Sequence, residues 1–106
     1  MPKYLVEASY TVDGVQGLLK EGGSSRRTAV ENAAKGLGGS LECLYYVFGD
    51  DDLIAIMELP DNTSAAAFSL AVSAAGAATT SVRVLLTSEE IDRAAKQTVD
   101  YRAPGR

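Results

Sequence analysis

The sequence predicts an α+β domain with the ferredoxin-like order β-α-β-β-α-β and an extra C-terminal helix. Segments in which apolar and polar residues alternate, as in strands, are interleaved with segments in which apolar residues recur every three or four positions, as in helices. Turns rich in Gly and Asp separate these segments. A chain of 106 residues corresponds to one domain, which we assign to residues 1–98 with a C-terminal tail at 99–106.

The first strand is predicted at Lys3–Tyr10, where Tyr4 and every second residue after it are apolar or aromatic. A short helix follows. Asp13 is a suitable N-cap for it, because a carboxylate oxygen there can accept a hydrogen bond from the first turn. Gly22 and Gly23 interrupt this helix.

Two longer helices are predicted further along the chain. The second helix begins at Ser24 or Ser25, which are both good N-caps, and ends at Gly38, since glycine readily adopts a left-handed conformation. A third, alanine-rich helix follows the turn at 60–64 and ends at Gly76. One side of it carries Phe68, Ala71, Val72 and Ala75. Because most of its side chains are small, we expect this helix to pack closely.

The middle of the chain predicts a β-hairpin. Residues 40–48 are rich in aromatic and aliphatic types, residues 53–59 are mostly aliphatic, and a Gly-Asp-Asp turn begins at Gly49 between them. A fourth strand is predicted at 80–86 from its alternation of apolar and polar side chains.

The last predicted helix opens with a capping box. Thr87 and Glu90 have the spacing at which each side chain can bond the backbone N–H of the other. We expect this helix to bury Ile91, Ala94 and Ala95 against the rest of the domain.

Right-handed crossovers between these elements favour an antiparallel sheet with helices on one face. On this assignment the other face carries Leu5, Glu7, Ser9, Arg83 and Leu85. The hairpin adds either Ile54, Ile56 and Glu58 or the alternate set Leu53, Ala55 and Met57. Such a half-apolar face favours packing against a second copy. We therefore expect a homodimer or higher homo-oligomer built as a dimeric α+β barrel.

Composition excludes several function classes. Ten basic against fourteen acidic residues give a net charge of −4, which argues against a nucleic-acid partner. Histidine is absent and there is one cysteine, so a Ser-His triad, a histidine metal ligand and an intrachain disulfide are excluded. We predict no cofactor and no metal site.

Hydropathy indicates no membrane association. No apolar run approaches the ~20 residues needed to cross a bilayer, and no signal-peptide pattern is present. We therefore expect a cytoplasmic location.

The hairpin resembles the signature of the GYD domain family, named for a Gly, a Tyr and an Asp. The resemblance begins with Tyr45-Tyr46-Val47-Phe48-Gly49-Asp50-Asp51-Asp52 and extends to the stretches 10–14, 18–27 and 86–91. Gly49 and Asp52 stand at the family's Gly and Asp positions, whereas Asp51 stands at its tyrosine position. The resemblance implies a ferredoxin-like fold that forms dimeric barrels, and it implies no established activity. An activity that depends on the tyrosine would be missing from this member.

A candidate anion site lies where the second helix is predicted to begin. Its residues are Ser24, Ser25, Arg26 and Arg27. Free backbone N–H groups at a helix start, hydroxyls and guanidinium groups together favour a phosphate or carboxylate. The alternative is structural, with the serines capping the helix and the arginines paired with Glu21 and Glu31. The glycine spacing does not match a P-loop.

Three consecutive carboxylates follow Gly49. The stretch 50–52 suggests a divalent cation, but it lacks calcium-loop spacing, and Asp is a common turn residue. Asp52 stays a candidate ligand-binding residue because the family resemblance singles it out and because it can reach backbone N–H groups at the strand start.

Charged side chains inside strands form the last candidate group. The candidate catalytic residues are Glu7, Glu58 and Tyr46, and Arg83 is a further candidate ligand-binding residue. A glutamate with a raised pKa could act as a general base, with Tyr46 or another of Tyr4, Tyr10 and Tyr45 as hydrogen-bond donor. The alternative is an Arg-Glu bridge that fixes the register of a dimer interface.

Two functions remain open. The first is a small-molecule binding or oligomeric assembly module. The second is a cofactor-independent enzyme of the monooxygenase or isomerase type, for which fold analogy is the support. A pocket of roughly 300 Å³ or more in which a carboxylate and a tyrosine converge would favour the enzyme.

Overall fold

The computed structural model describes residues 1–106, which form four strands and four helices. The strands are β1 (Lys3–Tyr10), β2 (Ser40–Tyr46), β3 (Leu53–Glu58) and β4 (Ala78–Leu85). The helices are α1 (Val12–Glu21), α2 (Gly23–Gly36), α3 (Asn62–Ala75) and α4 (Ser88–Ala95). The predicted α+β order of elements is confirmed, with α1 and α2 together forming the first crossover.

The four strands form one antiparallel sheet in the order β2-β3-β1-β4. The central strands are therefore β1 and β3, and the edge strands are β2 and β4. This order is consistent with the predicted ferredoxin-like fold. None of the four helices combines the length and hydropathy that crossing a membrane requires.

The register decides which residues of β3 face the helices. Opposite residues of antiparallel strands share a face, and Tyr4 lies opposite Met57, whereas Leu5 lies opposite Ile56. Tyr4 and Met57 are buried, so the helix-side set of β3 is Leu53, Ala55 and Met57. The other face, called the open face below, is lined by Leu5, Glu7, Ser9, Cys43, Tyr45, Ile54, Ile56, Glu58, Ser81, Arg83 and Leu85.

The hydrophobic core lies between the sheet and the helices. Its buried residues are Tyr4, Val6, Ala8, Ala34, Leu44, Leu53, Ala55, Met57, Leu59, Ala65, Phe68 and Ala78. The Tyr4 hydroxyl donates a hydrogen bond to Oδ1 of Asn62 at 2.6 Å, which satisfies the polar end of a buried side chain.

The predicted N-cap of α1 is wrong by two residues. Thr11, rather than Asp13, is the N-cap, and its hydroxyl oxygen accepts a hydrogen bond from the backbone N–H of Gly14. The same hydroxyl donates to the carbonyl oxygen of Gly76 at 2.9 Å. Because this long-range bond ties Thr11 to the end of α3, tertiary structure selects between two local caps.

The predicted serine cap of α2 is also wrong. The helix begins at Gly23, so Ser24 and Ser25 lie in its first turn and make no capping hydrogen bond. Gly22 joins α1 to α2 with φ of 84°, a left-handed conformation that favours glycine. This glycine turns the chain before the serines are reached.

The capping box of α4 is confirmed, with both hydrogen bonds between Thr87 and Glu90 formed. The predicted burial of its apolar residues is wrong, because no residue of α4 is buried and Ile91 is 51% exposed. The helix leaves the edge strand β4 and packs closely on no other element of the chain. Ala94 and Ala95 are exposed with it.

Candidate functional site

An apolar cavity lies on the helix side of the sheet, above the central strands. α2 packs on β2 and α3 packs on β4, and the space between the two helices is open above β1 and β3. The cavity has a volume of about 260 Å³. Val6, Ala8 and Ala55 line it from the sheet, and Phe68 and Val72 line it from α3.

Small side chains create this cavity. Ala33 of α2 and Ala71 and Ala75 of α3 line its walls, and all three are exposed. The prediction that the alanine-rich α3 packs closely is therefore wrong on this side, because its alanines are too short to reach across to α2. Fourteen of the 16 lining residues are hydrophobic, so an occupant must be largely apolar.

Arg26 is the one charged residue that lines the cavity. Its Nη1 lies 3.4 Å from Oε1 of Glu21, and the two side chains are 36% and 45% exposed. An ion pair this long and this exposed contributes little to stability. The guanidinium can therefore exchange Glu21 for another carboxylate, which its planar fork binds with two hydrogen bonds.

Tyr10 lines the cavity beside Arg26. Burial raises the pKa of the Tyr10 phenol, the neighbouring Tyr46 raises it further, and the Arg26 charge opposes the shift. Tyr10 is consequently a neutral hydrogen-bond donor near pH 7. A third polar residue in the lining, Thr80, shares a 2.9 Å hydrogen bond with the Ser69 hydroxyl.

Asp52 fixes the strand end from which Tyr10 projects. Its Oδ2 accepts a hydrogen bond from the backbone N–H of Tyr10 at 2.8 Å, and its own N–H donates to the carbonyl oxygen of Ala8 at 2.8 Å. Asp52 thus reaches a backbone N–H group, but this group lies at the end of β1 and not at a strand start as predicted. The carboxylate positions Tyr10 and does not line the cavity.

Tyr46 lies near Tyr10. Its hydroxyl donates to the carbonyl oxygen of Gly23 at 2.9 Å, which holds the start of α2 near β2. Burial raises the pKa of Tyr46, and the Arg26 charge opposes this shift. A second groove of about 440 Å³ here is lined by Tyr10, Tyr46, Phe48 and Asp52 among others. The fold thus brings Arg26, Tyr46 and Asp52 together around Tyr10.

The rest of the candidate anion site does not join this cluster. Ser24, Ser25 and Arg27 are exposed, and Nη1 of Arg27 lies 3.4 Å from Oε2 of Glu31, one turn along α2. Arg26 and Arg27 are therefore paired with Glu21 and Glu31, as the structural alternative predicts, but only Arg26 borders a cavity.

The charged strand residues lie on the opposite side of the sheet. Glu7 and Arg83 form an ion pair of 3.4 Å on the open face, where the arginine is 66% and the glutamate 18% exposed. Oε1 of Glu7 is buried and has no hydrogen-bond partner. Glu58 shares this face, whereas Tyr46 lies on the helix side. The three candidate catalytic residues do not converge.

The Asp-rich turn is tied to β1. The Ser9 hydroxyl contacts the carbonyl oxygen of Asp50 at 2.8 Å and Oδ1 of Asp51 at 3.2 Å. Asp51 therefore has a structural contact with the end of β1. No group of three or more His, Cys, Asp or Glu side chains is arranged to hold a metal ion.

The cavity itself was not predicted from the sequence. The alanines that line its walls show in the sequence only that these side chains are small. A sequence pattern does not show the distance between two helices. Tyr10 is one of four tyrosines that the sequence offers as hydrogen-bond donors, and its position beside Arg26 depends on the hairpin contact through Asp52.

One of three comparisons with known proteins found a match. The sequence profile of the GYD domain family matches residues 4–95 of the chain, a range that includes every strand and helix apart from Lys3, the first residue of β1. Searches of curated proteins and of solved structures gave no match. The chain therefore belongs to the GYD domain family.

Proposed function

We propose that this protein is a small-molecule binding domain, whose ligand is a compact carboxylic acid with an apolar body. The observation that carries the proposal is the apolar cavity above β1 and β3 with Arg26 as its one charged lining residue. An apolar cavity of about 150 Å³ accommodates benzene. A cavity of about 260 Å³ therefore suits a ring or short aliphatic chain with a carboxylate at one end.

Charge and hydrogen bonding support an acidic end group. Arg26 supplies a permanent positive charge, and its weak pairing with Glu21 leaves it available. Tyr10 adds a neutral donor, since its phenol is partly buried and its pKa is raised. The lining contains no carboxylate, and the neighbouring Asp52 uses its Oδ2 to accept the hydrogen bond from the Tyr10 backbone N–H. This arrangement supports binding rather than proton transfer.

Titration with phenylacetate, hexanoate and the neutral analogue phenylacetamide tests the charge requirement. We expect phenylacetate to bind more tightly than phenylacetamide, and Arg26→Gln to weaken phenylacetate binding about tenfold or more by removing a charge-assisted hydrogen bond. Arg27→Gln is the matched control, because it removes the same charge one residue away and outside the cavity. Equal effects of the two substitutions would contradict the proposal.

A second pair of variants tests the location. Ala71→Leu fills the cavity from α3, whereas Ala74→Leu adds the same volume to an exposed position outside the lining. We expect Ala71→Leu to abolish saturable binding of phenylacetate and Ala74→Leu to leave it unchanged. Binding that survives Ala71→Leu would place the ligand elsewhere.

Assembly as a homodimer is the second part of the proposal, and the open face favours it. Leu5, Ile54 and Ile56 are apolar residues on a face that no helix of this chain covers. Oε1 of Glu7 lies among them without a hydrogen bond, and it is held only by the 3.4 Å ion pair with Nη2 of Arg83. A second copy would cover these groups, and sedimentation over a range of concentrations tests this.

We place this domain in the cytoplasm, where a free thiol such as Cys43 stays reduced.

A further inference from the structure

The C-terminal arm, defined as residues 86–106, extends away from the domain. The radius of gyration of the chain is 16.8 Å, whereas a compact chain of this length has about 13 Å. The long dimension of 56 Å compares with 33 and 22 Å for the other two. The arm includes α4, which packs closely on no other element.

The chain also exposes more surface than a monomeric protein of its mass. Its accessible surface is 7271 Å², while about 5,700 Å² is typical at 11.1 kDa. The excess of about 1,600 Å² exceeds the ~800 Å² that each partner buries in an interface of standard size. It is in the range that each chain of an obligate dimer covers.

The arm contributes large apolar side chains to this excess. Leu86 is 57% exposed, Ile91 51%, Val99 76% and Tyr101 72%. An isolated helix of eight residues is marginal in water, so a capped α4 requires a surface to pack on.

The net charge of the arm is compatible with packing of α4 on a second copy of the chain. The acidic residues of the arm are Glu89, Glu90, Asp92 and Asp100, and its basic residues are Arg93, Lys96, Arg102 and Arg106. The arm is therefore neutral and is not repelled by a chain of net charge −4. The open face likewise carries both signs, with Arg83 and Glu7 in contact.

We propose that the arm of one copy packs on the open face of a second copy, in a reciprocal exchange between the two chains. This inference rests on the proposed homodimer and adds the arm as the main contact between the two copies. In a dimer with a twofold axis, each arm covers the open face of the other copy, so both exposed surfaces are buried in the same assembly.

Photo-crosslinking of the full chain tests the exchange. The photoreactive residue p-benzoylphenylalanine is introduced at position 91, on the apolar side of α4, or at position 93 as a control. The chain that contains the photoreactive residue is mixed with a ¹⁵N-labelled copy, so that crosslinks between chains have a distinct mass. We expect position 91 to crosslink to open-face peptides of the labelled chain, and position 93 to do so much less.

Sedimentation of Ile91→Asp gives the second readout. Ile91 is exposed in the single chain, so the substitution leaves the fold of the domain intact, which circular dichroism checks. We expect the dissociation constant of the dimer to be at least tenfold higher than that of the unsubstituted chain. Crosslinks confined to one chain, or an unchanged dissociation constant in a chain that still dimerises, would overturn the exchange alone. A full chain that stays monomeric at all concentrations would overturn both the exchange and the homodimer.

Discussion

The carboxylate of Asp52 accepts a hydrogen bond from the backbone N–H of Tyr10 at 2.8 Å. This bond joins the turn before β3 to the end of β1, and the backbone N–H of Asp52 adds a second bond to Ala8. Asp52 thus joins the ends of two neighbouring strands. Asp52 does not line the cavity, but both residues that it bonds, Tyr10 and Ala8, do.

Replacing Asp52 is expected to destabilise the fold. Asp52→Ala removes a hydrogen bond to a charged acceptor, and we expect the free energy of unfolding to fall by about 1–3 kcal/mol. Urea denaturation measures the change. Asp50→Ala is the control, because only the backbone carbonyl of Asp50 contacts Ser9. If the two variants were equally stable, the Asp52 carboxylate would have no energetic role.

Two glycines of α1 are expected to respond in opposite directions. A Cβ at Gly14 would lie 2.0 Å from the carbonyl oxygen of Ala77, whereas a Cβ at Gly17 would contact nothing within 4 Å. Gly14→Ala should therefore destabilise the protein by about 1–3 kcal/mol, as overpacking does. Gly17→Ala should stabilise it by up to about 1 kcal/mol, because alanine favours a helix. Thermal melts of both variants give the comparison, and a stabilised Gly14→Ala would refute the close approach.

Buried tyrosines are expected to make the fold sensitive to alkaline pH. Burial raises the pKa of Tyr4 above its ordinary value of 10.0, and the nearby Asp61 raises it further. The unfolded chain then loses this proton at lower pH than the folded chain. Stability should be fully present below about pH 10 and fall as the pH rises through the folded pKa. Urea denaturation at pH 8 and at pH 11 measures the loss.

The variant Tyr4→Phe separates this contribution from those of other groups. It should lose about 0.5–1.5 kcal/mol near neutral pH with the bond to Asn62, and its stability should fall less steeply above pH 10. Tyr45→Phe is the control, since Tyr45 is 69% exposed. An alkaline loss that is identical in Tyr4→Phe and the unsubstituted chain would exclude Tyr4 as its source.

Arg83 tests whether charge on the open face matters for assembly. Arg83 is exposed and its ion pair is with Glu7, so Arg83→Ala should leave the monomer fold intact and leave the Glu7 carboxylate without a charge partner. We expect a weaker dimer in sedimentation at low concentration. An unchanged sedimentation profile would show that Arg83 lies outside the interface.

Local sequence signals predicted much of the fold and little of the site. Period-2 and period-3.6 patterns gave the order of elements, and the capping box at Thr87 and Glu90 needs only residues three apart. The N-cap of α1 was missed because the bond from Thr11 to Gly76 spans 65 residues. The cavity was missed because Ala71 looks the same in sequence whether it packs closely or borders a space. The burial of Ile91 was wrong because an apolar stripe does not reveal whether its own chain supplies a surface.

The proposed binding function is tested most directly by nuclear Overhauser contacts between bound phenylacetate and the protein. We expect contacts from the ligand ring to the methyl groups of Val30, Ala71 and Val72, which line the cavity, and loss of these contacts in Ala71→Leu. Contacts confined to the open face or to the groove around Phe48, or no saturable binding of any carboxylate tested, would contradict it.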